Sequence, residues 1–321
     1  MPNPIDATCN ELRILLEAAV KRNLADGILL SGGLDTSILA ALASKYMHLE
    51  AFTAAFEKAP APDLKYSKII ANRYNLNHHI KTFDEKELDE MVLAVMQILK
   101  TFDPMEVRNS ITIFAGLKAA KDNGRNNVMT GDGCDELFAG YSFLFGLDKK
   151  KLNLELQKLW DRMHFSSIDI ANSLGMNVKL PFLDPKLKAF AMQINPELKI
   201  KTENGQTWGK WILRKAFEKM LPEGIAWREK TPIEVGSGTT VLSSMLSAAI
   251  TDKEFEEKKQ KYLTEDKVTI RDKEQLVYYE IYRLAIGVPH PENEKDKTCP
   301  YCNSNVAEKS TYCRTCGAYP I

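Results

Sequence analysis

The chain has no surplus of charge of either sign. Its 321 residues carry 43 Lys plus Arg against 43 Asp plus Glu, so the formal net charge at pH 7 is zero. A protein that coats nucleic acid by bulk charge needs a basic excess, so a nucleic-acid partner is not favoured, although a local patch would not show in the sum. No apolar run approaches the roughly 20 residues that span a bilayer, which argues against a membrane partner. The opening MPNPIDATCNEL lacks the basic start and apolar stretch of a secretory signal, so the expected location is the cytoplasm. Internal repeats and low-complexity tracts are missing as well. Cysteine is scarce along most of the length. Of six, four crowd the C-terminus at Cys299, Cys302, Cys313 and Cys316, and only Cys9 and Cys134 lie elsewhere. That distribution is not a disulfide scaffold, which spreads its cysteines through a small secreted chain.

What is present is ordinary globular material. Hydrophobic residues make up 44% and charged residues 27%, enough to bury a core and too apolar for a mostly disordered chain. The length is that of about two domains. Residues 8–24 predict an amphipathic helix with Leu12, Leu15, Leu16, Ala19 and Val20 on one side, capped by Thr8 with Glu11 completing a capping box. Strands are expected over 27–30, 49–56, 77–83 and 127–130. Helices are expected from the first loop to about Met47, then over 64–75, 84–100 and 109–121. This alternation predicts β-α-β units and a parallel sheet. From about 150 to 285 the pattern turns mostly helical. The mixed-charge run 253–261 reads as a solvated helix face, and the polar, proline-bearing stretch 289–298 as a linker. His78 and His79 are adjacent on a predicted strand and so point to opposite faces, which is no shared metal site.

Two glycine-rich segments directly follow predicted strands, at the carboxyl edge where open α/β sheets bind ligands. The first, Ser31-Gly32-Gly33-Leu34-Asp35-Thr36-Ser37, suits an anion cradle. Its glycines let backbone N–H groups approach phosphate, its hydroxyls donate, and the next helix aims its positive end at the anion. Asp35 would repel bare phosphate, so its role there is to hold a bridging Mg²⁺. The segment lacks the G-K-[ST] of a P-loop. The bland alternative is a tight turn before a helix. The second segment is Gly131-Asp132-Gly133-Cys134-Asp135-Glu136.

The segments LLSGGLDTS (29–37), AFTAAF (51–56), FDPMEVRNS (102–110), TGDGCDELFAGY (130–141), LPFLDPKL (180–187), KWILRKAFEKMLP (210–222) and WREKTPIEVGSG (227–238) occur in that order. Together they resemble the synthetase domain of asparagine synthetases and the related β-lactam synthetases, within the PP-loop ATP pyrophosphatases. The resemblance covers about residues 10–245. It implies an α/β fold: a parallel-sheet, adenine-nucleotide (PP-loop) domain over 1–288, mostly helical from about 146, followed by the linker and a small zinc ribbon at 299–321. The activity it implies is cleavage of ATP between the α- and β-phosphates. A carboxylate, most simply aspartate, becomes an acyl-adenylate, and an amine then displaces AMP.

Carried over onto this chain, Ser31, Gly32, Gly33, Asp35, Thr36 and Ser37 would hold pyrophosphate, and Leu30, Ala54, Thr130 and Gly131 would wrap adenosine. Asp35 and Asp135 would share Mg²⁺. Asp132 would serve adenylate formation or aminolysis, and Lys230 would neutralise the reacting phosphates, with Gly236 and Gly238 in a closing loop. Arg108 and Lys179 are candidate anchors for a substrate carboxylate, with a structural ion pair as the alternative for Arg108. For Asp135 the alternative is a helix-start acid, and for Lys230 a surface lysine. Glu136 suits either a cap or the metal. The chain departs from the family pattern in three places: Asp132 stands where Glu is usual, Lys179 where Arg is common, and TPIEV follows Lys230. With Pro at position 2 and the first loop at residue 31, no glutaminase domain with an N-terminal cysteine is expected. The nitrogen would come from free ammonia or a partner glutaminase subunit. The oligomeric state is left open, a homodimer included.

Cys299-Pro-Tyr-Cys302 and Cys313-Arg-Thr-Cys316-Gly317 form two knuckles that suit a closed, structural Zn²⁺ site, with an iron or iron–sulfur centre as the lesser alternative. About 23 residues are too few to fold without metal, and the module could dock on the main body, bind a partner or touch RNA. Cys134 reads as a small packing residue or, alternatively, as a reactive thiol at a helix start. Two rivals to the ligase therefore stand: a sulfurtransferase acting on tRNA or a small molecule, and a non-catalytic ATP-binding subunit.

Overall fold

The computed structural model describes residues 3–293 and 295–321. Met1, Pro2 and Glu294 lie outside the described residues, and with them the readings placed on Pro2 and on Glu294 in the 289–298 stretch.

The first helix, α1 (Pro4–Arg22), begins a turn earlier than its periodicity suggests. Pro4 presets the helical φ at a position that needs no donor, and the Asn3 side chain accepts from the Ile5 amide at 3.1 Å. Thr8, the expected cap, lies inside the helix and donates to the Pro4 carbonyl. There follow β1 (Gly27–Leu29), α2 (Leu34–Ala43), β2 (Glu50–Phe56), α3 (Asp63–Tyr74) and β3 (Asn77–Phe83). The helix expected to reach Met47 thus stops at Ala43. Next come α4 (Glu85–Leu99), opened by a capping box of Asp84 and Glu87, then α5 (Pro104–Asp122) and β4 (Asn127–Met129). Here too a proline at the helix start moves the beginning ahead of the expected Asn109. The remainder is α6 (Cys134–Phe138), α7 (Lys149–Asp161), α8 (Ser166–Ser173), β5 (Asn177–Lys179), α9 (Pro185–Gln193), α10 (Pro196–Lys199), β6 (Lys201–Glu203), β7 (Gln206–Trp208), α11 (Trp211–Phe217), α12 (Ile233–Gly236), α13 (Val241–Ala248), α14 (Asp252–Glu265) and α15 (Lys273–Ala285).

The main sheet has strand order β3-β2-β1-β4-β5, with β1 parallel to both β2 and β4 and β4 parallel to β5. This is the α/β, parallel-sheet class that the alternation predicts. The β5 strand is not among the expected strands: three residues show no period of two, and unlike β1 and β4 it runs into no glycine-rich loop. The β6–β7 hairpin is not among them either, although its Asn204-Gly205 turn, both residues at positive φ, marks it.

Two compact units divide the chain. One comprises the chain up to Thr53, Pro62–Lys81 and Gly116–Thr231; the other comprises Ala54–Ala61, Thr82–Ala115 and Pro232–Ile321. In the first, the buried face of α1 (Leu12, Leu16, Ala19, Val20) packs with the almost wholly buried α2 and with Trp211, Ile212 and Phe217 of α11. Each such large side chain contributes about 1.5–3 kcal/mol by leaving water. In the second, Phe56, Phe83, Val95, Phe102, Tyr278 and Tyr279 share one core with the four C-terminal cysteines. The α14 helix carries the 253–261 charge run and is mostly exposed, as expected.

Candidate functional site

The β1 and β4 strands are neighbours in register, Gly27 opposite Val128 and Ile28 opposite Met129. The loops that leave their carboxyl ends therefore emerge side by side. The first loop is braced internally. The Ser31 Oγ accepts from the Gly33 amide at 3.2 Å, and the Thr36 Oγ1 accepts from the Ser31 amide at 3.3 Å. Gly32 has φ +69°, and a Cβ there would lie 2.3 Å from the Tyr66 carbonyl carbon, so only glycine fits. Gly33 begins α2 with no side chain capping its first amides. Ser37 is fully buried and its hydroxyl has no partner. Leu30 and Thr130 are buried at the strand ends, their amides tied to the Phe52 and Lys179 carbonyls. Gly131 stands against Asp35: a Cβ there would lie 3.1 Å from the Asp35 Cβ.

Asp35 stands in the first turn of α2 and Asp135 in the first turn of α6, each just after its glycine-rich loop, and the two acids meet around Lys210, which sequence reasoning missed. The Lys210 ammonium lies 2.5 Å from Asp35 Oδ2 and 2.9 Å from Asp135 Oδ1. Its side chain is only 5% exposed. Burial works against the charge on Lys210, but the two carboxylates outweigh it and hold the lysine protonated well above the ordinary range. Lys210 reaches the acids because it sits at φ +55° just ahead of α11, its amide bonded to the Phe138 carbonyl. The one sequence signal for it is a lysine at a helix start, where Ser, Thr, Asp or Asn is the usual cap.

Lys230 joins the same cluster, its Nζ 2.6 Å from Asp135 Oδ1 and 4.6 Å from the centre of the Tyr141 ring. Burial opposes ionisation of Asp135, yet Lys210 and Lys230 hold its carboxyl down to about 2. Two ammoniums lie close to Asp135 Oδ1 but in poor hydrogen-bond geometry, so this buried oxygen is held chiefly by their charge. Gly140 makes room for it: a Cβ there would fall 1.7 Å from Asp135 Oδ1 and 2.5 Å from the Lys210 Cε. A buried anionic oxygen with unfilled hydrogen-bonding capacity, beside a second carboxylate, suits a hard divalent cation.

Asp132 is held differently. Its Oδ2 accepts from the Thr130 hydroxyl at 2.7 Å and the Ser167 hydroxyl at 2.5 Å. Burial pushes its carboxyl up, against those two hydrogen bonds. Glu136 accepts from the Tyr141 hydroxyl at 2.5 Å, and burial raises its carboxyl too. Cys134 is fully buried and donates to Asp35 Oδ1 at 3.0 Å. Burial, then the Asp35 charge, pushes its thiol well above the ordinary range, which favours the packing role. Lys179 ends β5, next to β4 in the sheet order.

Two expected site residues lie in the other unit. Ala54 is buried in β2. Arg108 is bound by two carboxylates, Nε to Glu234 and Nη1 to Glu274, both at 2.6 Å. The ion-pair alternative is the one this structure displays for Arg108. Gly238, at φ +84°, packs against Ala59 and Pro60 in the same unit.

The four cysteines close on one another, their sulfurs all within 4.8 Å, with no disulfide among them. The Cys299 and Cys316 sulfurs are 3.7 Å apart, and those of Cys302 and Cys313 3.6 Å. Thiolates about 2.3 Å from a tetrahedral zinc lie about 3.8 Å apart, so the cluster has the dimensions of such a site. The Tyr301 amide points at the Cys299 sulfur, 3.4 Å away. The cysteine segment is docked on its unit. The Thr315 carbonyl accepts from the Phe102 amide at 2.7 Å, the Cys316 carbonyl from Gln275 Nε2 at 2.7 Å, and the Gly317 carbonyl from Arg271 at 2.7 Å. The Tyr312 hydroxyl donates to Asp103 Oδ2 at 2.5 Å.

Fold and site together define an α/β protein with a two-loop, two-aspartate cluster at the carboxyl edge of a parallel sheet. The Asparagine synthase family model matches residues 11–167 and 154–276, and the chain belongs to that family. It is 30% identical over 307 residues to the glutamine-hydrolysing asparagine synthetase B of Escherichia coli strain K12, covering 87% of this chain and 54% of the relative. It is 31% identical over 264 residues to the glutamine-hydrolysing asparagine synthetase of Sandersonia aurantiaca, covering 74% of this chain and 50% of the relative. The chain thus spans about half the length of the curated relatives it matches. Among solved structures, NMN synthetase from Francisella tularensis aligns at TM-score 0.31 and 16% identity over 63% of this chain and 99% of that one, a likeness too slight to argue from. Among the described residues no helix is long and apolar enough to cross a membrane.

Proposed function

We propose that this chain is an ATP-dependent, AMP-forming ligase that converts a carboxylate, aspartate first among candidates, into an amide. The observation that carries the reading is the convergence of Asp35, Asp135, Lys210 and Lys230 at the ends of two adjacent parallel strands. Adenylyl transfer needs positioned opposite charge more than it needs covalent chemistry, and this cluster supplies it.

In this reading Asp35 and Asp135 would hold Mg²⁺, which neutralises phosphate charge when bound. The amides of the Ser31–Ser37 loop would take the pyrophosphate oxygens, with Leu30, Thr130 and Gly131 against the nucleoside. Lys230, beside Asp135, would meet the phosphates. A substrate carboxylate oxygen forms a bond to the α-phosphorus as the α–β bridge breaks, and pyrophosphate leaves. An amine then attacks the activated carbonyl, loses a proton, and displaces AMP. Asp132, whose carboxyl burial pushes up, would exchange that proton. The nitrogen would come from ammonia, free or released by a glutaminase. The cysteine cluster would hold a structural Zn²⁺, since four protein ligands leave no open position. The sulfurtransferase alternative would need Cys134 as a reactive thiol, whereas that thiol is buried and donates to Asp35.

The test is pyrophosphate release from ATP and Mg²⁺, with aspartate present or absent and ammonium or glutamine as donor. Aspartate-dependent release with asparagine formed on adding ammonium is the expected result. Release that ignores aspartate moves the reading to another carboxylate. No release under any condition removes the ligase.

A further inference from the structure

Arg214, in α11, is 4% exposed and has no carboxylate in hydrogen-bond or ion-pair contact among the described residues. Its guanidinium is spent on three backbone carbonyls: Nε on Gly209 at 2.9 Å, and Nη1 on Ala226 at 2.7 Å and on Arg228 at 2.9 Å. Its face lies 5.0 Å from the Trp208 ring centroid. A buried cation normally takes a carboxylate, and one satisfied by neutral carbonyls alone is costly to keep.

The carbonyls it selects give the reason. Gly209 immediately precedes Lys210, and Arg228 lies two residues before Lys230. The two lysines on the acid pair thus arrive on separate stretches of chain, and one guanidinium holds both stretches. The second stretch is tied again by Arg228, whose Nη2 donates to Asp63 Oδ1 at 2.8 Å and whose guanidinium lies 3.8 Å from the centre of the Tyr66 ring. Tyr66 is the residue whose backbone backs Gly32 of the first loop. A lysine at 214 could not replace this cross-tie, because one ammonium cannot span three carbonyls that the planar fork reaches together.

We propose that Arg214 is a positioning residue that sets Lys210 and Lys230 at the Asp35–Asp135 pair, an inference that rests on reading Lys230 as the working lysine. The variants that test it are Arg214→Lys, Arg214→Met, Lys230→Met and the double Arg214→Met/Lys230→Met, all in the full chain. In Arg214→Lys and Arg214→Met the pyrophosphate-release kcat is expected to fall about a hundredfold, with the KM for ATP changed by less than about threefold. Backbone amide exchange over 226–231 is expected to speed up about tenfold while that of 27–37 is unchanged. The double variant should lose less than the product of the two single losses, since Lys230 is one of the two lysines that Arg214 sets. Unchanged exchange over 226–231, or additive losses in the double variant, overturns the proposal. If Arg214→Met fails to fold, Arg214→Lys carries the same readouts. Wild-type turnover in Lys230→Met sinks the Lys230 reading instead, and the exchange measurement still decides whether Arg214 holds the segment.

Discussion

Asp135 Oδ1 and the Cys316 sulfur are both buried polar atoms carried on loop-borne motifs, and the chain satisfies them in opposite ways. Around Asp135 two ammoniums press on one oxygen without an aligned hydrogen bond, and glycine at 140 keeps the space beside it open. Around Cys316 the other three sulfurs close the shell, and the nearby backbone carbonyls are spoken for by Phe102, Gln275 and Arg271. The first arrangement can exchange partners with an arriving cation or phosphate. The second has no vacancy and can only hold. An open charged cluster is what a reaction needs, whereas a closed thiolate cluster is what a small, loop-rich segment needs to stay folded.

Removing metal is the largest way to break this contrast. A structural zinc links on the order of 10 kcal/mol of binding to folding. Chelation, or Cys313→Ser, is expected to abolish the cooperative melting of the second unit while amide protection of α2 persists. Loss of protection in both together would show that the closed cluster supports more than its own unit. Gly140→Ala attacks the open cluster, since its new Cβ would collide with Asp135 and Lys210. It should reduce pyrophosphate release by about a hundredfold and destabilise by about 1–3 kcal/mol. Near-normal turnover would mean that the space beside Asp135 is not needed.

Smaller effects sharpen the same comparison. Tyr312→Phe deletes the hydroxyl that donates to Asp103, a charge-assisted bond worth about 1.5–3 kcal/mol, and should lower the melting temperature without changing the metal content. Asp132→Asn should move stability the other way. Burial raises the Asp132 carboxyl above its unfolded value, so its contribution is favourable at low pH and is lost as pH rises through the raised folded value. At neutral pH the variant should therefore melt slightly higher than the parent, with the gap closing as pH falls toward about 4, while turnover drops. A gap that widens on acidification would contradict the burial argument.

Much of the fold is legible in local sequence. Each expected strand up to residue 130 is present: β2 and β3 are long enough to show in the pattern, and the short β1 and β4 run straight into glycine-rich segments. Periodicity places the helix starts at Pro4 and Pro104 too late, because it does not register a proline-led first turn. The site is half legible. Asp35, Asp135 and Lys230 stand in motifs, and the structure brings all three together. Lys210 escapes because its role depends on a left-handed backbone and on where Phe138 lies, neither of which leaves a periodic trace. For Arg108 the sequence leaves a substrate anchor and an ion pair open, and only the fold shows Glu234 and Glu274, 126 and 166 residues away, paired with it.

The sequence by itself determined the family, the parallel α/β class, the two loops and the C-x-x-C pairs, since these are written in local spacing and composition. Only the tertiary structure decided that one lysine bridges the two aspartates, that the Cys134 thiol is buried against Asp35, and that the cysteine segment is docked into a core. The physical reason is range: turns, caps and periodicity act over a few residues, whereas burial and charge pairing join positions that are distant in the chain and acquire their values only once water has been excluded between them.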